Sequence, residues 1–342
     1  MMERKLASIQ EIANLQPIPD ADKIELATVE GWRAVVKKGQ FRIGEKIIFC
    51  EPDSILPQND IFGDFTKDGS YRIKTIKLRG CLSQGIIFPI NDKSLFAQTL
   101  PIGTDVTDLL DITKYEKPVP VQFRGRVRCT LSRLAVPKTD ETRVQNIPDV
   151  LERHKYKEFY INEKIDGTSM SCYIDPETGL HVCSRNVDLA PDFEHKYNGN
   201  AYWKYAIEHH LEEILKQLGN VALQGELYGE NIQGNPLKLT GQYYRVFNIW
   251  DMTNHVYLDR NTMLDAVDTF GLGKDFLVPE VGKIVLDHSV DDLLDMANGK
   301  SVLSNELREG LVFRPQEEDI DVKIGRLSFK AVSPKYLLKH GE

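Results

Sequence analysis

Lys164 ends an apolar stretch, EFYINEK, and IDGTS follows it, so a lysine, a carboxylate (Asp166) and a glycine (Gly167) stand within four residues. A lysine that only solvates a strand belongs on an alternating polar face. At the end of an apolar run, next to a carboxylate and a turn residue, it fits a nucleophile. That role makes demands. An ordinary lysine titrates near ~10.4, so only about one amine in a few thousand is neutral at pH 7. Lowering that value by roughly three units takes about 4 kcal/mol of bias against the ammonium. Partial burial and a nearby divalent cation or other positive charge supply such a bias. The cation in turn needs oxygen ligands, directly or through its waters.

Three carboxylates suit that need: Asp166 in EKIDG, Glu226 in QGELYG and Glu309 in REGLVFRP. Each stands near a glycine and is expected at a strand end or turn, where a carboxylate points into a cleft. Arg185 in CSRNVDL, Lys330 in LSFKAVS and Arg143 in KTDETRVQN are cations for phosphate groups, and Phe247 in YRVFNIWD is an aromatic face for a base. Singly, each has an ordinary reading. Glu226 can be solvated, Phe247 core, Arg185 half of a surface ion pair, and K-x-D-G a surface turn. Their order along one chain is the stronger signal. No G-x-S-x-G nucleophile elbow and no G-x-x-x-x-G-K-[ST] phosphate loop occurs. His209 and His210 are expected on a helix surface.

Residues 1–120 contain the elements expected to stand in front of this constellation. GWRAVVKKGQ, EKIIFCEPDSILP, YRIKTIKLRG and QGIIFPI mix β-branched and aromatic residues with turn formers at their edges, which predicts short strands and a small barrel. In YRIKTIKLRG, Arg72 and Lys74 alternate with Ile73, giving one basic face, either functional or simply solvated. Residues 112–150 are rich in proline and charge and read as the way into a second domain. There AYWKYAIEHHLEEILKQLG predicts one amphipathic helix stopped by Gly219, and SVDDLLDMANGK a helix capped by Ser289. VALQGELYG, YYRVFNIWD, EGLVFRP and RLSFKAVS predict strands.

The 342 residues suit two domains, and 41% hydrophobic with 27% charged residues is a globular composition. No apolar run is long enough to span a membrane, and MMERKLASIQ lacks a signal-peptide core. Five cysteines with no C-x-x-C pair predict free thiols in a reducing, cytoplasmic setting and no structural zinc. The net charge is −8, but residues 1–126 carry +1 and the remainder −9. An acidic second half suits a carboxylate-lined metal and nucleotide site, and a local basic stripe still suffices for phosphates.

EKIDGTS, SRNVDL, GELYGE, YRVFNIWD, EGLVFR and SFKAV together resemble, in order, the signature motifs of the covalent nucleotidyltransferases, over residues 137–340. That superfamily contains ATP-dependent DNA ligases, RNA ligases and capping enzymes. The chain runs only about ten residues past Lys330, and the β-rich module precedes the motifs, as in one branch of RNA ligases with an N-terminal OB domain.

The resemblance implies an α+β protein: an OB-like barrel over 1–120, a linker over 121–136 and a nucleotidyltransferase domain over 137–342, with antiparallel sheets and flanking helices. It implies ATP as AMP donor, Mg²⁺ or Mn²⁺, and RNA 3′-OH ends at nicks in duplex RNA or RNA/DNA hybrid as partners. Lys164 would become the lysyl–AMP. Glu163, or the backbone beside it, would contact adenine, and Arg185 and Glu226 would lie near the ribose. Phe247, or alternatively Tyr244, would stack on the base. Asp166, Glu226 and Glu309 would hold the metal's waters, Lys330 the α-phosphate and Arg143 the β- and γ-phosphates. Ser328 departs from the pattern, because relatives carry a lysine there. That contact is either absent or supplied by Lys323 or Arg326. The competing readings are a DNA ligase or capping enzyme, and a nucleic-acid-binding protein with an inactive nucleotidyltransferase domain.

Overall fold

The computed structural model describes residues 5–115, 126–130, 136–191 and 200–341. In the first domain, β1 (Ala7–Glu11), β2 (Asn14–Pro17), β3 (Ile24–Val29), β4 (Trp32–Lys37) and β5 (Lys46–Cys50) are followed by β6 (Ser54–Leu56), β7 (Tyr71–Arg72), β8 (Ile76–Leu78), β9 (Cys81–Ser83), β10 (Ile86–Pro89) and β11 (Thr113–Lys114). β5 is central: it pairs antiparallel with β1 and β10. Its alternation feeds two apolar clusters, Ile47 and Phe49 into one and Ile48 and Cys50 into the other. β4 shows the half-buried pattern of a strand, with Trp32, Ala34 and Val36 inward. The barrel is the OB domain that the sequence implies. YRIKTIKLRG, however, is not one strand. It splits into β7 and the β8–β9 hairpin.

The second domain consists of two sheets. One has the order β12–β17–β16–β15–β18–β19–β20, formed by Arg126–Thr130, Val187–Ala190, Gly179–Ser184, Thr168–Asp175, Val221–Gly229, Gln242–Asp251 and Val256–Tyr257 respectively. The other has the order β13–β25–β22–β14–β21, formed by Thr142–Arg143, Phe329–Val332, Gly310–Pro315, Glu158–Lys164 and Glu280–Val285. A small pair, β23 (Ile320–Asp321) and β24 (Gly325–Arg326), lies between β22 and β25. The linker expected over 121–136 falls partly outside the described residues. Within it, β12 already pairs with β17, so this part of the chain belongs to the second domain's sheet.

The helices are α1 (Pro148–Arg153), α2 (Ala201–Glu208), α3 (Leu211–Leu218), α4 (Arg260–Thr269), α5 (Val290–Ala297) and α6 (Pro334–His340). The single helix expected over AYWKYAIEHHLEEILKQLG is two. His210 adopts the left-handed conformation (φ 52°), which breaks the hydrogen-bond ladder, and both halves then bury their apolar residues against the first sheet. Gly219 ends α3 as expected, and α5 carries a full capping box from Ser289 and Asp292. Among the described residues, no helix is long and apolar enough to cross a membrane.

The second sheet is held by a column of aromatic rings. Phe329 lies 5.2 Å from Phe313, nearly parallel, and 5.5 Å from Phe159, and all three are fully buried. Phe329→Ala is expected to cost about 3–5 kcal/mol, read as a lower denaturant midpoint for the second domain. An unchanged midpoint would show that the column does not carry the sheet.

Candidate active site

The chain crosses from one sheet to the other at Lys164. β14 ends there in the second sheet, Asp166 and Gly167 make the turn, and β15 begins at Thr168 in the first sheet. Only a glycine fits this crossing. A Cβ on residue 167 would stand 2.4 Å from the Leu227 carbonyl oxygen and 3.1 Å from the Glu226 side chain. Gly310 is equally constrained, because a Cβ there would lie 2.3 Å from the Ala331 carbonyl oxygen. It stands opposite Lys164 in the β14–β22 register, which brings Glu309 over the lysine.

Lys164 Nζ donates to both oxygens of Glu309, at 2.6 Å each. A quarter of the Lys164 side chain is exposed, and Glu309 less. Glu226 projects from within β18, not from a strand end as expected, in register with Ser169 and Arg245. Burial pushes the Glu226 carboxyl up to about 8, and the nearby Glu309 and Asp166 charges add to that. Burial alone would lower Lys164, but Glu309, with Glu226 and Asp166, outweighs it and holds the amine above its ordinary value. Glu226 is itself raised toward protonation, so Glu309 carries most of that effect. Asp166 accepts from the Tyr336 hydroxyl at 2.5 Å, and Tyr336 is fixed in α6 behind the Ser333 cap.

These groups border a cleft of about 400 Å³ that also takes in Arg143, Glu163, Arg185, Phe247 and Lys330. All the residues singled out from the sequence for nucleotide and metal therefore meet in one place. Arg143 and Lys330 are neighbours because β13 and β25 pair in parallel, Arg143 against Lys330. Arg185, in the β16–β17 turn, makes two contacts to Asp140 at 2.6 and 2.8 Å. Burial raises the Asp140 carboxyl, but Arg185, Lys330 and Lys114 more than offset this and hold it below the usual range.

Some side chains sit differently than expected. The Glu163 carboxylate accepts from Ser301 Oγ at 2.5 Å and Val302 N at 2.8 Å, so its side chain is engaged by that loop and only its backbone remains for a ligand. Tyr244 is core: its hydroxyl donates to the Met170 carbonyl at 3.1 Å within the first sheet's apolar cluster. Phe247 is the aromatic that borders the cleft. Neither suggested substitute for the missing lysine at Ser328 is among the residues lining it. Lys323 reaches Asp149, and Arg326 pairs with Glu318 and lies 3.8 Å over the Tyr257 ring. Ser328 Oγ instead accepts from Arg314 Nε at 3.2 Å, and Arg314 also donates to Glu141 at 2.8 Å.

Arg314, Glu141, Asp140, Tyr336, and the first domain's Asp53, Arg72 and Lys114 also belong to this site, and the sequence reading missed them. Arg314 lies inside the quoted EGLVFRP and Asp140 and Glu141 inside KTDETRVQN, so those signals were at hand. Tyr336 had none.

Two sheets that meet at a lysine gripped by a glutamate, behind a small barrel, define a nucleotidyltransferase of the polynucleotide-joining kind. A family model described as an OB-fold domain matches residues 6–90, and one described as RNA ligase matches residues 157–332. No curated protein matches the chain. Among solved structures, the chain is 34% identical to Naegleria gruberi RNA ligase with PPi, with 99% of each chain covered and a TM-score of 0.89. A lysine variant of that ligase with ATP and Mn gives 34% identity, a TM-score of 0.88 and coverage of 98% of this chain and 99% of that one. Another with AMP and Mn gives 34%, 0.89 and 99% of each. The chain belongs to the RNA ligase family.

The grip of Glu309 on Lys164 has a measurable sign. Glu309→Gln removes the principal negative charge that raises the amine, so the Lys164 pKa should fall. The pH dependence of its acylation by an amine reagent should move to lower pH by on the order of one unit or more. An unchanged profile would show that the ion pair does not set the protonation of Lys164.

Proposed function

We propose that this RNA ligase takes AMP from ATP onto Lys164, passes it to a 5′-phosphate and seals that end to an RNA 3′-OH at nicks in duplexes. The observation that carries the reading is Lys164 Nζ, held at 2.6 Å by Glu309 inside a cleft lined by both carboxylates and phosphate-binding cations. In the first step a P–N bond forms between the neutral Lys164 amine and the α-phosphorus. The bond from that phosphorus to the bridging oxygen breaks, pyrophosphate leaves with the electron pair, and the lysine's proton passes to solvent. In the second step a 5′-phosphate oxygen displaces Lys164, and in the third the 3′-OH displaces AMP.

The residues present fit a divalent cation held through its waters. The donors are all oxygens, and three acidic side chains surround the lysine, with Glu226 driven to about 8 by that crowding. Among the described residues no group of three acidic, His or Cys side chains is arranged to chelate a metal directly, which suits outer-shell contacts from Asp166, Glu226 and Glu309. When bound, the cation neutralises charge on the α-phosphate. Solved structures of the Naegleria relative with ATP and Mn, AMP and Mn, and PPi support ATP and a divalent ion here.

The remaining work is positioning. Lys330 grips the α-phosphate, Arg143 the β- and γ-phosphates, and Phe247 stacks on adenine. Arg185 and Glu226 lie near the ribose, and the Glu163 backbone approaches the base. The barrel over 1–120 holds the duplex beside the nucleotidyltransferase domain over 137–342. None of the five cysteines forms a disulfide, which suits a reducing cytoplasmic compartment.

With ATP and Mg²⁺, the protein should seal a nicked duplex whose 3′-OH strand is RNA, and should seal one whose 3′-OH strand is DNA far more slowly. Lys164→Ala should lower sealing by ~10⁴-fold or more, since neither water nor a neighbour replaces the nucleophile. Equal sealing of RNA and DNA 3′-OH ends, or sealing by Lys164→Ala at the rate of the unaltered chain, would refute the reading.

A further inference from the structure

At the wall of the cleft, two arginines from different domains converge on one carboxylate. Asp53, between β5 and β6, is held in the left-handed conformation (φ 71°). One of its oxygens accepts from Arg72 at 2.9 Å and the other from Arg143 at 3.0 Å. Arg143 is 7% exposed, and all three residues border the same cleft as Lys164. Arg72 is steadied by Tyr115, whose ring centroid lies 3.5 Å from the guanidinium carbon. Lys114, next to Tyr115, borders the cleft as well, close enough to Asp140 to help hold that carboxyl acidic.

A carboxylate that spans two guanidiniums occupies them as neighbouring phosphate groups would, with one anionic oxygen to each cation. The pair carries more positive charge than Asp53 cancels. The left-handed backbone at Asp53 is a conformation that side chains other than glycine adopt only when the surroundings hold them there.

We infer that Arg72 of the first domain completes, with Arg143, the subsite for the terminal phosphates of the nucleotide and hence for the departing pyrophosphate, and that Asp53 is the internal anion that fills this subsite when no nucleotide is bound. The inference builds on the ATP-using reading above. It gives the barrel a part in the nucleotide step as well as in holding nucleic acid. The plain alternative is that Asp53 only staples the domains together. That junction has other bonds: Trp32 Nε1 donates to Asn146 at 2.5 Å, Asn146 donates to Glu51 at 2.8 Å, and Gly31 N donates to the Gln145 carbonyl at 2.9 Å. Neutralising Asp53 therefore leaves the domains joined.

The two roles predict opposite signs. Inorganic pyrophosphate with Mg²⁺ would be titrated calorimetrically into the full chain, Arg72→Ala, Arg72→Gln and Asp53→Asn. Both Arg72 variants should bind it about tenfold or more weakly, the value of a charge-assisted bond lost. Asp53→Asn should bind it severalfold more tightly, because the internal competitor is gone. Arg33→Ala, which breaks a junction ion pair with Asp291, serves as the structural control and should bind as the unaltered chain does. The inference is overturned if the unaltered chain does not bind pyrophosphate, if Arg72→Gln binds it undiminished, or if Asp53→Asn weakens binding as the arginine variants do. Binding is read without turnover, so its failure is distinct from a failure of the ligase reading, which is read in nick sealing.

Discussion

Everything at this site depends on a crossing with no room in it. Between Lys164 and Thr168 the chain leaves one sheet and enters the other, and Gly167 passes so close to β18 that a single added carbon would meet the Leu227 carbonyl oxygen at 2.4 Å. That tight passage sets the lysine between the sheets. It also presses the turn against Glu226, so one carboxylate from the first sheet and one, Glu309, from the second reach the same amine. The second close approach, at Gly310, keeps β22 and β25 near enough that Lys330 shares the cleft. The motif glycines are steric requirements of the crossing, and the charged residues beside them inherit their positions from it.

The electrostatics describe an amine held in reserve. Burial favours its neutral form, yet Glu309 at 2.6 Å keeps it charged. Glu226, crowded by Glu309 and Asp166, is raised to about 8, so the cluster already holds more negative charge than it can comfortably solvate. Positive charge arriving with the nucleotide would relieve the carboxylates and loosen their hold on the ammonium, which aligns activation of the lysine with the presence of substrate. The arginines at the far wall are arranged on similar lines, each engaged by a carboxylate.

Much of this was legible in the sequence because the site is built from local motifs whose residue types chemistry dictates. The strand ending at Lys164, the glycines and the cations all lie in short stretches that can be read one at a time. Parallel pairing of Arg143 with Lys330 was not legible, since β13 is two residues long and no periodicity marks it. Nor was the break at His210, where left-handed backbone at a non-glycine residue overrode a continuous amphipathic pattern. Tyr244 and Phe247 look alike in YYRVFNIWD. Only the register of β19, which turns Tyr244 into the core, separates them. The contribution of the barrel to the cleft was hidden for a simpler reason: Asp53 and Arg143 are ninety residues apart, and their contact exists only once both domains are folded.

The central claim is that Lys164 is the residue that carries AMP. The most direct test is to incubate the protein with [α-³²P]ATP and Mg²⁺, denature it, and map the label by peptide, with intact mass taken before and after to account for AMP already bound. The account predicts one AMP per chain in an acid-labile, alkali-stable phosphoramidate on Lys164. A folded protein that gains no AMP and carries none from the start, or one that carries it on another residue, would contradict it.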